Sequence, residues 1–417
     1  MGVFAVCYAL FVLLPNRRSW VACAGGLLLL FSGVLPWQNA LTEKINWNVI
    51  GLFWGTLVLA DLFLKSRAPD VLAGWVMSRM PSVRMSMLAL CALSGFISIF
   101  IENVAVVLLV APIALSLASR LKISPVPMLI GIAICSNLQG TATMVGDPPS
   151  MILAGEMKMG FWDFFIFHGR PSIFFAIQVG AILSLLVLFW VFRKFRSAGE
   201  GFDRMKIRSM VPTWLLCGLV LGLSFASTID REFRWFAGSY TLALAVVALV
   251  WYRFIAKWGK IGRFVKSLDW DTTFFLIGVF VLVGALGDSG WLEKLAQWMS
   301  QSVGGSVLMA YLLLVLVAVA VSSFVDNVPF LLVMIPVVNQ LAKTLNAPVA
   351  VLMFGLLVGA CLGGNITPIG ASANVVALGI LRRRGYTVGF GDFMRISVPF
   401  TIAALAGGTL FVWFFVK

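Results

Sequence analysis

Runs of about 20 apolar residues, parted by short polar breaks, occupy nearly the whole chain, and a run of that length is what an α-helix needs to cross a bilayer. With no water in the hydrocarbon core, every backbone N–H and C=O must pair inside the segment or around a closed barrel. Barrel strands alternate apolar and polar residues over about ten positions, and these runs do not, so a barrel is excluded. The predicted fold class is an all-α polytopic membrane protein. Composition agrees: 61% of the 417 residues are hydrophobic and 12% charged, whereas soluble domains carry about a quarter charged. The formal charge of +14 sits in clusters at the ends of runs rather than along one face, which reads as membrane topology and not as a nucleic-acid surface. The six cysteines, Cys7, Cys23, Cys91, Cys135, Cys217 and Cys361, lie within apolar runs without CxxC spacing, which indicates neither a disulfide framework nor a zinc site. The first run, from Met1 to Leu14, has its basic residues Arg17 and Arg18 behind it and no small-residue cleavage site. It is expected to be a span rather than a removable leader.

The chain also repeats itself. A shift of 224 residues aligns Glu102-Asn103-Val104 with Asp326-Asn327-Val328, Pro112 with Pro336, Gly131 with Gly355, Gly140 with Gly364, Thr143 with Thr367 and Gly146 with Gly370, without a gap. Upstream a shift of 223 pairs Trp47 with Trp270 and Gly55 with Gly278. Residues 1–192 therefore form a first repeat, 193–210 a cytoplasmic linker and 211–417 a second repeat. In the first, spans are expected at 2–15, 20–36 and 47–64 and a connector at 70–82. A re-entrant hairpin over 85–119 with its tip at 102–103, a broken span at 126–156 and a last span at 171–192 follow. The second repeats this: spans at 211–226, 238–256 and 273–288, connector 290–301, hairpin 306–343 with its tip at 326–327, broken span 348–383 and span 396–416. Five full crossings per half is odd, so the second copy is expected to be inverted. Charge supports this: with the linker inside, 23 of the 31 Lys and Arg fall on the inner face, leaving Lys44, Lys158, Arg170, Arg231, Arg234, Lys294, Lys343 and Lys417 outside. Both termini are then outside, in what is expected to be the cytoplasmic (inner) membrane.

A carboxylate in the bilayer core costs at least about 2.5–3.5 kcal/mol, so Glu102, Asp147 and Asp326 need a reason to be there. Glu102-Asn103 and Asp326-Asn327 occupy the hairpin tips, where helix ends expose unpaired backbone groups. Each broken span is interrupted by a loop, Ser136 to Pro149 and Gly363 to Asn374, in which Gly and Pro unwind the helix and hydroxyl and amide side chains offer neutral oxygen ligands. A single Thr or Asn in such a loop is explained as well by bonding to its own helix. Two breaks and two acidic tips at one constant shift instead describe a binding site built from discontinuous helices of inverted repeats. The expected ion or substrate ligands are Glu102, Asn103, Asn137, Thr141, Thr143, Asp147, Asp326, Asn327, Asn365, Thr367, Ser372 and Asn374. Asp147, Glu102 and Asp326 are the candidates for proton coupling. Asp147 has Ala371 as its repeat partner, and this asymmetry singles it out, although capping the helix beyond Pro148-Pro149 is its alternative role.

These residues resemble the ion transporter superfamily, in the branch of arsenite-efflux permeases of the ArsB type, Na+/H+ antiporters of the NhaD type and the melanosomal P protein. The resemblance is carried by Phe96–Ser119, Pro125–Ile152, Val321–Ala342 and Gly359–Leu378, with the strings SN..GTAT..GDPP and DN followed by a downstream proline. It implies a dimerising scaffold, a mobile domain of hairpins and broken spans that moves as an elevator, and ion coordination by tips and loops together. The chain departs from the family pattern at Glu102, where Asp is usual, at Gln139, where Gly is common, and at Ser150, where Asn usually follows the prolines.

Neither loop contains Lys or Arg, which favours a cation or protons over a dicarboxylate held through guanidinium groups. The expected function is a secondary active transporter exchanging a small inorganic ion with protons, as Na+/H+ antiport or as arsenite or antimonite efflux; arsenite transport would add a separate ATPase subunit. The alternative is a Na+-coupled carboxylate or sulfate transporter. A different class, an intramembrane aspartyl protease using Asp147 and Asp326, leaves the Asn beside each tip without a purpose. No catalytic residue, cofactor or resident metal is expected beyond the coupling ion, H+ or Na+. Cys135 and Cys361 flank the loops and could bind soft arsenic, but small buried cysteines in spans are common. His168 is expected to be solvated, Asp61 to pair with Lys65, and Trp37, Trp47, Trp162 and Trp235 to lie in interfacial belts.

Overall fold

The computed structural model describes residues 2–14, 17–195, 206–230 and 232–416. Residues 196–205 of the expected linker, Arg231 and Lys417 lie outside them. Nine principal helices form the first half: α1 (Gly2–Leu13), α2 (Arg18–Phe31), α3 (Trp47–Lys65), α4 (Ala68–Met77), α5 (Val83–Ser98), α6 (Asn103–Arg120), α7 (Val126–Gly140), α8 (Pro148–Met157) and α9 (Ile173–Val191). Nine more form the second: α10 (Val211–Ile229), α11 (Phe236–Val250), α12 (Trp270–Gly287), α13 (Trp291–Ser302), α14 (Val307–Ser322), α15 (Asn327–Leu345), α16 (Val349–Gly363), α17 (Ser372–Arg383) and α18 (Phe390–Phe411). Among the described residues seven segments are long and apolar enough to cross a membrane, and seven further apolar helices of 10–17 residues accompany them. The protein is a multi-pass integral membrane protein.

Helix packing keeps one pattern when each helix is exchanged for the one nine places away. α5 packs on α7 as α14 packs on α16, α2 on α12 as α11 on α3, α6 on α17 as α15 on α8, and α9 on α18 as its own counterpart. The hairpins are α5–α6 and α14–α15; the broken spans are α7–α8 and α16–α17. The arms of the first hairpin rise about 24 and 27 Å at 1.5 Å per residue, close to the thickness of the hydrocarbon core.

Each tip is fixed by its own acid. Glu102 is the N-cap of α6 and accepts from the Ala105 N–H at 3.0 Å; Asp326 is the N-cap of α15 and accepts from the Val328 N–H at 3.1 Å. Such caps satisfy donors that a helix start leaves unpaired. One glycine per half holds each break against its hairpin. A Cβ on Gly146 would lie 2.5 Å from the carbonyl oxygens of Gly140 and Ser98, and one on Gly370 would lie 2.7 Å from those of Gly364 and Ser323. Backbone meets backbone at these points, so no side chain fits.

Differences from expectation are local. A two-residue antiparallel strand pair joins Ile166–Phe167 to Arg170–Pro171 in a chain read as wholly helical, turned by His168 and Gly169, both at positive φ, which is the backbone of a tight hairpin turn. His168 is exposed. Asp61 and Lys65 pair at 2.5 Å, and the four belt tryptophans are exposed.

Candidate functional site

Four helix N-termini meet at one small cavity of about 50 Å³: α6 through Asn103 and Val104, α15 through Asn327 and Val328, α8 through Pro148, and α17 through Ser372. Glu102, Asp147 and Asp326, the residues just ahead of three of these helices, line it too. The two breaks and the two tips are thus brought together, each supplying one helix start. Asp147 is buried, with the Asn327 amide in hydrogen-bonding reach. It makes no side-chain cap to its own helix, so the capping role is not the one it has here.

The remaining expected ligands stand behind this lining. Asn137 is their hub: it accepts from the Asn103 amide at 2.9 Å and donates to the side-chain oxygens of Asn365 at 2.8 Å and Asn374 at 3.1 Å. Asn365 donates in turn to the Ile134 carbonyl, and Asn374 to those of Gly364 and Thr367. These four buried amides clasp the first hairpin tip, the first break and the second break to one another. Thr143 donates to the Ile99 carbonyl at 2.5 Å, and its repeat partner Thr367 donates to that of Ser323, the equivalent position. Thr141 donates to the Asn137 carbonyl within its own helix. These residues shape the loops, while Glu102, Asn103, Asp147, Asp326, Asn327 and Ser372 face the cavity. Two of the family departures have partners: Gln139 exchanges paired amide bonds of 2.8 and 3.0 Å with Gln178, and Ser150 donates to the Thr141 carbonyl.

Sequence reasoning missed the other wall. Arg18, counted as a topology charge, reaches in from the start of α2 with its side chain 18% exposed and pairs with Asp326. Asp269, Thr272 and Phe275 of the α12 start complete the lining. The inference drawn from loops without Lys or Arg is corrected here, because the guanidinium comes from another helix. Arg18 left no signal of its own, since a basic residue at the end of an apolar run also serves topology. The acids did leave one: at the 223-residue shift Asp269 and Asp271 stand where the first repeat has the neutral Asn46 and Asn48, so charge was added on one side only. Cys361, the repeat partner of Asn137, lies within reach of Thr141 and Asn327; Cys135 instead lies beside Cys91.

Charge decides what this cavity favours. A helix N-terminus carries about +0.5 of a charge, so four of them with one guanidinium offset about three of the four carboxylates Glu102, Asp147, Asp269 and Asp326, which leaves one acid for a cation or a proton to balance. Among the described residues no three acidic, His or Cys side chains converge into a metal-binding cluster, so an ion here would draw on amide, hydroxyl and backbone oxygens as well.

The family described as citrate transporter matches residues 8–359 and 240–417 of the chain. The chain belongs to the citrate transporter family. It is 30% identical over 428 residues to the 46 kDa membrane protein of Mycobacterium leprae, covering 99% of this chain and 97% of that protein. It is 26% identical to the P protein of Homo sapiens over 99% of this chain and 59% of that longer one, in keeping with the branch resemblance. The YdaH transporter of Alcanivorax borkumensis has the same fold, with a TM-score of 0.62 at 14% identity over 93% of this chain and 88% of that one. Within the citrate transporter family this chain is a membrane transporter and not an enzyme, and the protease reading falls with it.

Proposed function

We propose that the protein is a secondary transporter that exchanges a small inorganic cation with protons through the cavity at the four helix starts. The observation that carries this reading is a cavity of about 50 Å³ lined by four carboxylates and one guanidinium. That volume holds an ion with about one water. It is far below the 300–1,000 Å³ of pockets that enclose organic ligands. Glu102, Asp147 and Asp326 load the cation or protons in alternation, Asn103 and Asn327 supply neutral ligands, and the coupling ion is H+ or Na+. The exchange of equivalent helices in the packing, the odd number of crossings and the charge count support inverted repeats with both termini outside in an inner membrane. Movement of hairpins and broken spans as an elevator, in a homodimer, completes the reading by analogy with the family branch. Arsenite or antimonite efflux is its thiol-dependent form, resting on Cys361 beside Asn327, and would draw on a separate ATPase subunit.

A second reading, Na+-coupled transport of a carboxylate or sulfate, is favoured by one observation besides the family's description. An adjoining cavity of about 280 Å³ shares Arg18, Phe275, Asp326 and Ser372 with the small one, and a guanidinium recognises carboxylates. The test is proton flux in proteoliposomes under an imposed pH gradient, challenged in turn with Na+, Li+, K+, arsenite, citrate and sulfate. A pH collapse on adding Na+ or Li+ supports cation exchange. A response confined to citrate or sulfate overturns it in favour of the anion, and one confined to arsenite selects the thiol form.

A further inference from the structure

Arg18 joins two bodies at the site. Its Nη1 bonds Asp326 and lies 3.3 Å from Ser372 Oγ, on a hairpin tip and a broken span. From the same guanidinium, Nη2 donates to Thr272 Oγ1 at 3.2 Å and Nε lies 3.6 Å from Asp271, with the Phe275 ring centroid 5.0 Å away, all on α12. The two Asp326 oxygens have separate duties, since Oδ1 caps α15 while Oδ2 takes the guanidinium. Oδ2, the oxygen that the backbone does not engage, is the one that Arg18 holds. On the α12 side a second resting place stands ready: Asp271 is held by the Ser19 hydroxyl one residue from Arg18, and Thr272 is bonded to Asp269. Asp271 is half exposed, against one-fifth for Asp326.

We propose that Arg18 is a tethered counter-cation: its guanidinium neutralises Asp326 in the unloaded carrier and fastens the tip to α12, and a transported cation displaces it onto Asp271. A fixed positive charge then fills the place of the cargo whenever the cargo is absent. The unloaded tip keeps its partner instead of presenting an unpaired carboxylate, which is a costly state in a buried site. The loaded tip is released from α12. Movement is thereby tied to occupancy, which is what exchange without leak requires. Arg suits this role because it stays charged and its five donors let it hold α12 with some while releasing Asp326 with others.

This inference rests on the cation-exchange reading, and the experiment separates the two. Cation-triggered pH collapse in proteoliposomes is first measured for the unsubstituted protein, where no response to any cation overturns the cation reading itself. Given a response, Arg18→Gln removes the internal competitor, so the KM for the cation is expected to fall at least about tenfold, the equivalent of one close charge pair. A proton leak without added cation is expected beside it. Arg18→Lys restores the charge without the fork and gives an intermediate KM. Asp271→Asn removes the resting place and shifts KM the other way, upward, which general damage to the fold at Arg18 cannot imitate. An Arg18→Gln KM within about twofold of the unsubstituted value, or higher, sinks the inference and leaves cation exchange standing. Should Arg18→Gln fail to fold, an unchanged KM in Asp271→Asn sinks it equally.

Discussion

Asn137→Ala removes the centre of the amide clasp and tests whether the two breaks are held to each other as the structure has them. The side chain makes three bonds of 2.8–3.1 Å, to Asn103, Asn365 and Asn374, all of them buried. Truncation orphans one amide donor and two carbonyl acceptors. Side-chain hydrogen bonds within membranes average about 0.6 kcal/mol by double-mutant cycles, while an orphaned buried group costs about 1–3 kcal/mol. At about 0.6–1.7 kcal/mol each within a membrane, three bonds give about 2–5 kcal/mol, the lower end applying where the orphans find other partners. The assay is equilibrium unfolding in mixed micelles, followed by the fluorescence of the 15 tryptophans. Asn137→Asp is the control, since it keeps the shape and the acceptor but loses both donors. Asn137→Ala with Asn374→Ala completes a cycle whose coupling is expected at about 0.6–1.7 kcal/mol. A loss below about 0.5 kcal/mol in Asn137→Ala, with coupled transport intact, would refute the clasp.

The remaining predictions concern the site more directly. Asp326→Asn should abolish coupled transport while the protein elutes as the same species on size exclusion; full activity in liposomes would remove the second tip from the mechanism. Gly370→Ala should cost about 1–3 kcal/mol in the same unfolding assay, because its Cβ would press on two backbone oxygens at 2.7 Å, and unchanged stability would show that the break has room. Cys135→Ala with Cys361→Ala should keep cation-coupled proton flux. Loss of arsenite transport alone in that variant, repeated by Cys361→Ala by itself, would assign the Cys361 thiol, which lies beside Asn327, to arsenite binding.

Some of the site was legible in the sequence because the membrane makes it so. A carboxylate in an apolar run is too costly to stand there by chance, and Glu102, Asp147 and Asp326 do line the cavity. The Asn and Thr residues of the loops were legible as a group but not in their roles. Asn137 and Thr143 read alike as oxygen ligands, and only their partners show that both are engaged with the protein itself. Arg18 was not legible, since the end of an apolar run is the cheapest place for a positive charge and the sequence cannot say which neighbour it meets.

The sequence by itself determined that the chain is helical, membrane-embedded and built twice over, because a bilayer leaves the backbone no alternative to helices for runs of this length and a constant 224-residue shift has no local cause. It also named the acids at the tips. The tertiary structure alone decided which helix starts share a cavity, that the amides of Asn103, Asn137, Asn365 and Asn374 join into one clasp, and that Arg18 faces Asp326 from 308 positions away. Those outcomes depend on how α2, α12 and the two hairpins pack. Packing between helices is set by shape and close approach over long separations, and no window of sequence contains both partners.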